Sequence, residues 1–220
     1  MIDTIINAKK IEDADAVVLT APYEKTVSSQ KGTVHGPKAV IGCLNTQIEF
    51  FDSKLKVEAV DFIKTAHLDL KDLKNLSPEE TKEKILENCD KLIRNNKFVL
   101  LLGGEHSVSV GHFEALSKKY NSKDVTILQI DAHCDLRNDD SDYNGHPSLL
   151  AHSTVMRRAS EMGYKIVQVG IRSYSKDEYK YFSNPKNNVE VFHWGKKVVP
   201  VKKILDSIKT KYLYISIDVD

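Results

Sequence analysis

Three side chains that can bind a metal ion occur at alternate positions in one short segment. Asp131, His133 and Asp135 contribute two carboxylates and an imidazole, directly after an apolar run that ends at Ile130. Successive side chains of an extended chain point to opposite faces, so these three would share one face. A strand that ends in a polar turn explains any one of them, whereas the three together indicate a binding site.

Two other segments supply further potential ligands. His106 lies in a Gly-Gly-Glu-His-Ser segment, and Asp218 and Asp220 stand at the end of the sequence. Four carboxylates and two imidazoles exceed the ligands of one tetrahedral zinc ion. Two divalent cations would balance the negative charges, whereas converging carboxylates without metal would have to bind protons. Oxygen-rich donors with some imidazole favour manganese, with iron, cobalt, nickel or zinc as alternatives.

Such a pair of cations indicates hydrolysis as the chemistry. Two ions about 3.5 to 4 Å apart lower the pKa of a shared water enough to make a nucleophile at neutral pH. Asp131 and Asp218 come first in their clusters, closest to the ends of their strands, and are the best candidates for carboxylates that bridge both ions.

The elements that must position these ligands follow from alternating apolar and helical patterns. Strands are predicted at 15–20, 97–102, 125–130, 165–169, 189–192 and 212–217, with a short one near Val57, Ala59 and Phe62. Helices are predicted from Pro37, from Pro78 after a capping box at Ser77 and Glu80, and near 107–120, 151–162, 175–182 and 200–209. This order predicts one three-layer α/β/α domain with a mainly parallel sheet and ligands at the carboxyl ends of its strands.

Two finer predictions concern burial. The unbroken apolar run 97–102 is typical of a strand covered on both faces in a parallel sheet. Cys89 falls on the apolar stripe of the helix that follows Ser77, and we expect it in the core.

Composition excludes several classes of partner. With 32 basic and 31 acidic residues the chain has no overall field that would attract nucleic acid or an anionic membrane. The cysteines, Cys43, Cys89 and Cys134, are odd in number and far apart, which argues against a disulfide framework. Neither an export signal nor an apolar run of spanning length is evident. We therefore expect a cytoplasmic protein.

The three motifs together resemble those of the ureohydrolases, the arginase and agmatinase family. They are Gly-Gly-acid-His-Ser at 103–107, Asp-Ala-His-x-Asp at 131–135 and Ser-x-Asp-x-Asp at 216–220. The resemblance extends to 22–25, 32–37 and 151–158, and the last of these is similar to the agmatinase branch. It implies an arginase-like fold and two manganese ions. His106 and Asp135 would hold one ion, His133 and Asp220 the other, and Asp131 and Asp218 would bridge them.

The resemblance also implies catalytic residues. His152 would move protons to the leaving amine, a role that needs a group titrating near neutrality. Asp135 is the second residue predicted to be catalytic. His146 is predicted to be a surface histidine of its loop. Partly exposed positions without a catalytic role are predicted for the remaining histidines, namely His35, His67, His112 and His193.

The implied reaction is attack of activated water on a guanidinium carbon, which yields urea and a primary amine. Agmatine giving putrescine, a step of polyamine biosynthesis, is the leading substrate pair. Arginine and guanidinobutyrate stay open, because Arg137 stands where arginases read a carboxylate with an asparagine and could itself bind one. A metal-binding homologue without activity and a deacetylase are alternatives. A dinuclear phosphoesterase is disfavoured, since its motifs are missing from the sequence.

Two further expectations rest on the resemblance. Relatives commonly form trimers or hexamers, so a homo-oligomer is expected. Family members continue past the third motif to a glutamate that grips the guanidinium, whereas this sequence ends at Asp220. We therefore expect a C-terminally incomplete domain that lacks the last strands, and poor activity of these 220 residues alone.

Overall fold

Parallel strands that alternate with helices make up most of the chain, as the sequence patterns predict. The computed structural model describes residues 5–46, 48–195 and 197–219. The fold divides into two compact units, Met1–Ala115 and Leu116–Asp220. The prediction of a single domain over 1–220 stays a prediction. Among the described residues, no helix combines the length and apolar character needed to cross a membrane.

The first unit is built around a parallel sheet of three strands. Its strands and helices are β1 (Ala16–Ala21), α1 (Gly36–Thr46), β2 (Phe51–Asp52), β3 (Val57–Glu58), β4 (Thr65–Asp69), α2 (Pro78–Arg94), β5 (Phe98–Gly103) and α3 (Ser109–Lys119). The sheet order is β4-β1-β5, and all its pairs are parallel. β2 and β3 form a separate antiparallel hairpin.

The second unit contains a four-stranded parallel sheet. Its elements are β6 (Val125–Ile130), α4 (Val155–Glu161), β7 (Lys165–Ile171), α5 (Lys176–Phe182), β8 (Val189–His193), α6 (Val201–Ser207) and β9 (Tyr212–Ile217). The strand order is β8-β7-β6-β9. The central strands carry the core, because Ile127, Ile166, Val167 and Ile171 are fully buried. Each such side chain contributes about 1.5 to 3 kcal/mol.

The predicted capping box begins α2. The Ser77 hydroxyl accepts the Glu80 N–H at 3.1 Å, and the Glu80 carboxylate accepts the Ser77 N–H at 2.7 Å. These two bonds satisfy amide groups that have no partner within the helix. Cys89 lies on the buried side of α2, and burial raises the pKa of its thiol to about 12. Both sequence predictions for this helix are confirmed.

Two predictions about local structure need correction. The short strand expected near Val57, Ala59 and Phe62 is present at Val57–Glu58 as β3, but Ala59 and Phe62 lie outside it and Phe62 is exposed. The strand that pairs with β1 is β4 at Thr65–Asp69. β5 is not covered on both faces, since it is an edge strand of the described sheet with Phe98 71% and Leu100 44% exposed. An apolar run cannot reveal whether neighbouring elements cover its second face.

The same kind of exposure occurs on β9, which is also an edge strand among the described residues. Its alternate residues Leu213, Ile215 and Ile217 are 45 to 64% exposed. They pair in register with Thr126, Leu128 and Ile130 of β6. One face of the β6 and β9 pair therefore presents apolar side chains to solvent.

Candidate metal centre

The register of β6 and β9 fixes the positions of two predicted ligands. Ile130 pairs with Ile217, and the N–H of Asp218 donates a 3.0 Å hydrogen bond to the carbonyl oxygen of Ile130. Asp131 and Asp218 thus follow directly on paired residues of adjacent parallel strands. This carboxyl edge is where parallel α/β sheets bind their ligands.

The Asp131 carboxylate is buried and held at both oxygens. Oδ1 accepts the N–H of His133 at 2.7 Å, and Oδ2 accepts Nε2 of Gln129 at 2.6 Å. The first bond closes a turn, so residues 131–135 do not continue the strand, which ends at Ile130. The expectation of an extended chain through Asp135 is therefore wrong. Asp135 has a left-handed backbone (φ 52°), which is uncommon outside glycine.

The side chains of this turn fit a divalent cation. A carboxylate oxygen of Asp131 and one of Asp135 lie within 4.8 Å of each other, and both residues are buried. Nδ1 of His133 lies 3.6 Å from Oδ1 of Asp131. Buried carboxylates this close repel when both are ionised, and a bound cation would remove that repulsion. Oxygen and imidazole donors suit manganese and related ions.

Cys134 lies between these ligands in sequence without adding a thiolate. Burial, together with the nearby carboxylates of Glu178, Asp135 and Asp131, raises the pKa of its thiol far above the usual range. The protonated thiol is a poor metal ligand, because metal binding requires the thiolate. The side chains of this turn that could bind a cation are therefore carboxylates and an imidazole, as the sequence indicates.

Two contacts hold the chain that follows the turn. The carbonyl oxygen of Asp135 accepts the N–H groups of Met156 and Arg157 at 2.9 and 3.2 Å, which joins it to the first turn of α4. The N–H of Leu136 donates to Oε1 of the buried Glu178 at 3.0 Å. The backbone on the far side of Asp135 is thus fixed to two helices.

Gly170 allows β7 to approach the site closely. It lies at a register shift between Val169 and Ile171 and has a φ of 93°. A Cβ at this position would lie 2.9 Å from the carbonyl oxygen of Asp131. Glycine is therefore required here by both the backbone conformation and the available space.

His106 lies in the first unit, directly after β5, and begins a 3₁₀ turn at His106–Val108. The preceding Glu105 is buried, and its carboxylate accepts the N–H of Thr26 at 2.8 Å and the hydroxyls of Thr26 and Ser107 at 2.6 and 2.5 Å. A Cβ on Gly104 would lie 2.1 Å from the Tyr23 carbonyl oxygen. The Gly-Gly-Glu-His-Ser motif thus packs its backbone against the loop that follows β1.

His152 occupies the first position of another 3₁₀ turn, His152–Thr154, and is partly buried. Its ring centroid lies 5.7 Å from that of Tyr143, whose hydroxyl is 2.6 Å from the Ser153 hydroxyl. His146 is exposed on the loop, which confirms its predicted surface position. Arg137 is ion-paired with Asp142 of the same loop.

The remaining histidines follow the sequence prediction with one exception. His35, His67 and His193 are exposed. His112 is instead buried in α3, because it falls on the side of that helix that also buries Val110 and Phe113. Burial lowers the pKa of His112 to about 4, so the ring is neutral at neutral pH. Asp220, a predicted ligand, lies outside the described residues.

The sequence reasoning missed the polar residues that support the ligands, chiefly Gln129, Gln168, Glu105 and Glu178. Gln129 and Gln168 stand in apolar strands, where a single uncharged polar residue does not by itself indicate a function. The available signal was position: Gln129 precedes Asp131 by two residues and so shares its face of the strand.

Comparison with known proteins agrees with this geometry. Residues 14–220 match the arginase family model. The chain belongs to the arginase family. It is 30% identical to the agmatinase of Bacillus subtilis over 95% of this chain and 69% of that protein. It is 31% identical to the N(1)-aminopropylagmatine ureohydrolase of Synechocystis over 94% of this chain and 67% of that protein.

The fold also matches solved structures. The agmatine ureohydrolase of Thermoplasma volcanium superposes with a TM-score of 0.81 at 24% identity, covering 99% of this chain and 71% of that one. The predicted arginase-like α/β fold is confirmed. Family membership and these relatives indicate a ureohydrolase.

Proposed function

We propose that this protein hydrolyses a guanidinium compound to urea and an amine, with agmatine as substrate and putrescine as product. The observation that carries the proposal is the buried pair Asp131 and Asp135 at the carboxyl end of β6, with Asp218 at the end of the neighbouring β9. In a chain of the arginase family, these are the positions at which metal-binding carboxylates are expected.

Six residues would hold two manganese ions. His106 and Asp135 are proposed for one ion and His133 and Asp220 for the other, with Asp131 and Asp218 shared between them. When bound, the ions would lower the pKa of water enough for hydrolysis at neutral pH. The carboxylate of Asp131 is already oriented for this task by the N–H of His133 and the amide of Gln129.

His152 is proposed to carry the proton to the leaving amine. A histidine side chain suits a role in which one group must both accept and donate a proton. Its partly buried position beside Tyr143, at the end of the loop that follows Asp135, supports this role.

The loop between residues 136 and 150 favours a substrate without a carboxylate. Arg137 is the cation that could bind the carboxylate of arginine or guanidinobutyrate, but its guanidinium is engaged by Asp142. A substrate carboxylate would have to compete with that ion pair. Agmatine carries no carboxylate and needs no such rearrangement.

N(1)-aminopropylagmatine is a second candidate. The observation that favours it is the 31% identity to the Synechocystis enzyme named for that substrate. It is a longer amine that likewise lacks a carboxylate, so the engaged state of Arg137 is compatible with both substrates.

A urea-release panel tests the proposal. The manganese-loaded protein is assayed with agmatine, N(1)-aminopropylagmatine, arginine and guanidinobutyrate. We expect urea from agmatine at a low rate, because poor activity is expected of these 220 residues alone. Asp135→Asn should abolish that rate, and the control Asp139→Asn, which alters an acid of the following loop, should keep it. Selective turnover of arginine would overturn the substrate assignment. Failure to release urea from any of the four would overturn the proposed function.

The proposed assembly is a homo-oligomer, a trimer or hexamer, as the family resemblance implies. Light scattering coupled to size-exclusion chromatography measures the mass directly. A monomer at micromolar concentration would contradict this proposal.

A further inference from the structure

Two glutamines lie side by side beneath the Asp131 turn. Gln129 of β6 and Gln168 of β7 are register partners in the parallel sheet, and both are fully buried. Uncharged polar side chains in the centre of a sheet are costly unless their amides are hydrogen-bonded. Their contacts show where those amides are directed.

Each amide group donates to two acceptors. Nε2 of Gln129 donates to Oδ2 of Asp131 at 2.6 Å and to the carbonyl oxygen of His133 at 3.2 Å. Nε2 of Gln168 donates to the carbonyl oxygen of Cys134 at 2.6 Å and to Oε1 of Gln129. The two side chains thus form a relay that ends on a ligand carboxylate and on the backbone between the ligands.

The orientation of both amides is fixed by their partners. Backbone carbonyls and an ionised carboxylate can only accept, so the NH₂ group of each glutamine must face them. Reversing either amide would place its oxygen against other oxygens. The relay therefore has one direction, from Gln168 through Gln129 to Asp131.

This arrangement is not optimised for stability alone. Within the described part of the chain, Oε1 of Gln168 is buried and accepts no hydrogen bond. A buried acceptor without a partner is unfavourable, and apolar residues of similar volume at both positions would avoid it. The pair leaves this acceptor unsatisfied while its NH₂ groups hold the turn, which points to a role in orienting that turn.

We propose that Gln129 and Gln168 are positioning residues that hold the Asp131 carboxylate and the backbone of residues 133–134 in the arrangement needed to bind a divalent cation. Residues that orient metal ligands in this way commonly change metal affinity by about 10- to 100-fold when removed. The inference rests on the proposed function, because it assumes that Asp131 is a ligand.

Manganese binding measured without substrate tests the inference. Mn²⁺ is titrated into the metal-free protein and followed by calorimetry and by the electron paramagnetic resonance spectrum of the bound ion. We expect Gln168→Met to weaken Mn²⁺ binding by about 10-fold or more and to alter the spectrum. Gln168→Asn keeps an amide but shortens the side chain, and it should also weaken Mn²⁺ binding. This second variant provides the test if Gln168→Met folds poorly.

Thr126→Val is the matched control. Thr126 is also a buried polar residue of β6, but its hydroxyl contacts Thr210 at 2.7 Å near the opposite end of the strand. Thr126→Val removes a side-chain hydrogen bond from the same sheet, on the strand that carries Gln129, and should leave Mn²⁺ affinity within twofold of the parent. A merely structural role of the glutamines would make all these variants alike in metal binding at equal loss of stability.

A double variant tests the direction of the relay. Because Gln168 acts partly through Gln129, Gln129→Met combined with Gln168→Met should lose less affinity than the product of the two single losses. Unchanged affinity in folded Gln168→Met would overturn the inference, as would independent losses in the double variant. If the parent protein binds no Mn²⁺, the proposed function itself fails, which is a distinct outcome.

Discussion

Glu178 of α5 accepts the N–H of Leu136, and this contact fixes the chain directly after Asp135. Oε1 of Glu178 receives that N–H at 3.0 Å, while Oε2 receives the N–H of Ser175 at 2.7 Å as part of the capping box of α5. One buried carboxylate therefore caps a helix and holds the turn that carries the predicted ligands.

Replacing this carboxylate should weaken both functions. Glu178→Gln places an NH₂ group against one of the two N–H donors, whichever way the amide turns, and we expect the free energy of unfolding to fall by about 2 kcal/mol. Mn²⁺ affinity should fall as well, because the backbone after Asp135 loosens. Urea denaturation and metal titration measure the two effects. Asp177→Asn, an exposed change in the same helical turn, is the control, and equal effects from both variants would contradict the prediction.

Gly170 should not tolerate a side chain. Gly170→Ala combines a φ of 93° with a Cβ 2.9 Å from the Asp131 carbonyl oxygen, and we expect a loss of about 1 to 3 kcal/mol in unfolding free energy. Gly145→Ala is the control, since a Cβ there meets no atom within 4 Å of the described structure. Thermal denaturation compares the two. An unchanged melting temperature for Gly170→Ala would contradict the prediction, because it would show that β7 can move away from the Asp131 carbonyl oxygen at little cost.

The Glu105 carboxylate is expected to stabilise the first unit. Glu105→Gln replaces an acceptor of three hydrogen bonds with a group that has only one acceptor oxygen, which should cost about 2 kcal/mol. Thr26→Ser is the control, because serine keeps both the backbone N–H and the hydroxyl. Unfolding curves in urea provide the comparison, and a larger loss in Thr26→Ser than in Glu105→Gln would refute the assignment.

Removal of the α2 cap offers a test of local stability away from the candidate site. Ser77→Ala deletes the hydroxyl that accepts the Glu80 N–H, and an N-cap serine contributes about 1 kcal/mol. We expect that loss in denaturant unfolding with Mn²⁺ affinity unchanged. The exposed Ser183, which follows α5, provides the control Ser183→Ala. A change in metal binding for Ser77→Ala would mean that α2 influences the site.

His112 should make the protein less stable in mild acid. Burial lowers the pKa of His112 from 6.5 to about 4, so the unfolded chain binds a proton that the folded chain excludes. The contribution to stability is complete above pH 6.5 and falls as the pH drops towards 4, by up to about 3 kcal/mol. Chemical denaturation at several pH values should show this slope in the parent protein and a smaller one in His112→Leu. His146→Asn, an exposed control, should keep it.

Much of the fold could be read from the sequence because local signals agreed with the final structure. Strand β6 was predicted with its observed ends, since its apolar run stops sharply at Asp131. The Ser77 and Glu80 pair identified the start of α2 for the same reason, because both halves of a capping box lie within four residues. Such features depend on near neighbours in sequence.

The failures concern contacts between distant segments. Phe98 and Leu100 read as interior residues, yet whether a strand is covered depends on elements far away in the chain. His112 reads as an ordinary histidine, and only the packing of α3 shows that it is buried. The relay joins Gln129 and Gln168 on two different strands, so a pattern of neighbouring residues cannot predict it. The six predicted ligands rest on motif spacing, and metal titration tests their roles.

The open apolar face of β9 has a practical consequence for those experiments. Leu213, Ile215 and Ile217 project from a strand that lies at the edge of its sheet within the described residues. Such surfaces promote stacking between molecules and precipitation. Binding of a fluorescent dye such as ANS, which reports exposed hydrophobic surface, would detect this tendency to aggregate before any titration begins. Titration at low protein concentration would then prevent a signal from aggregation from being mistaken for Mn²⁺ binding.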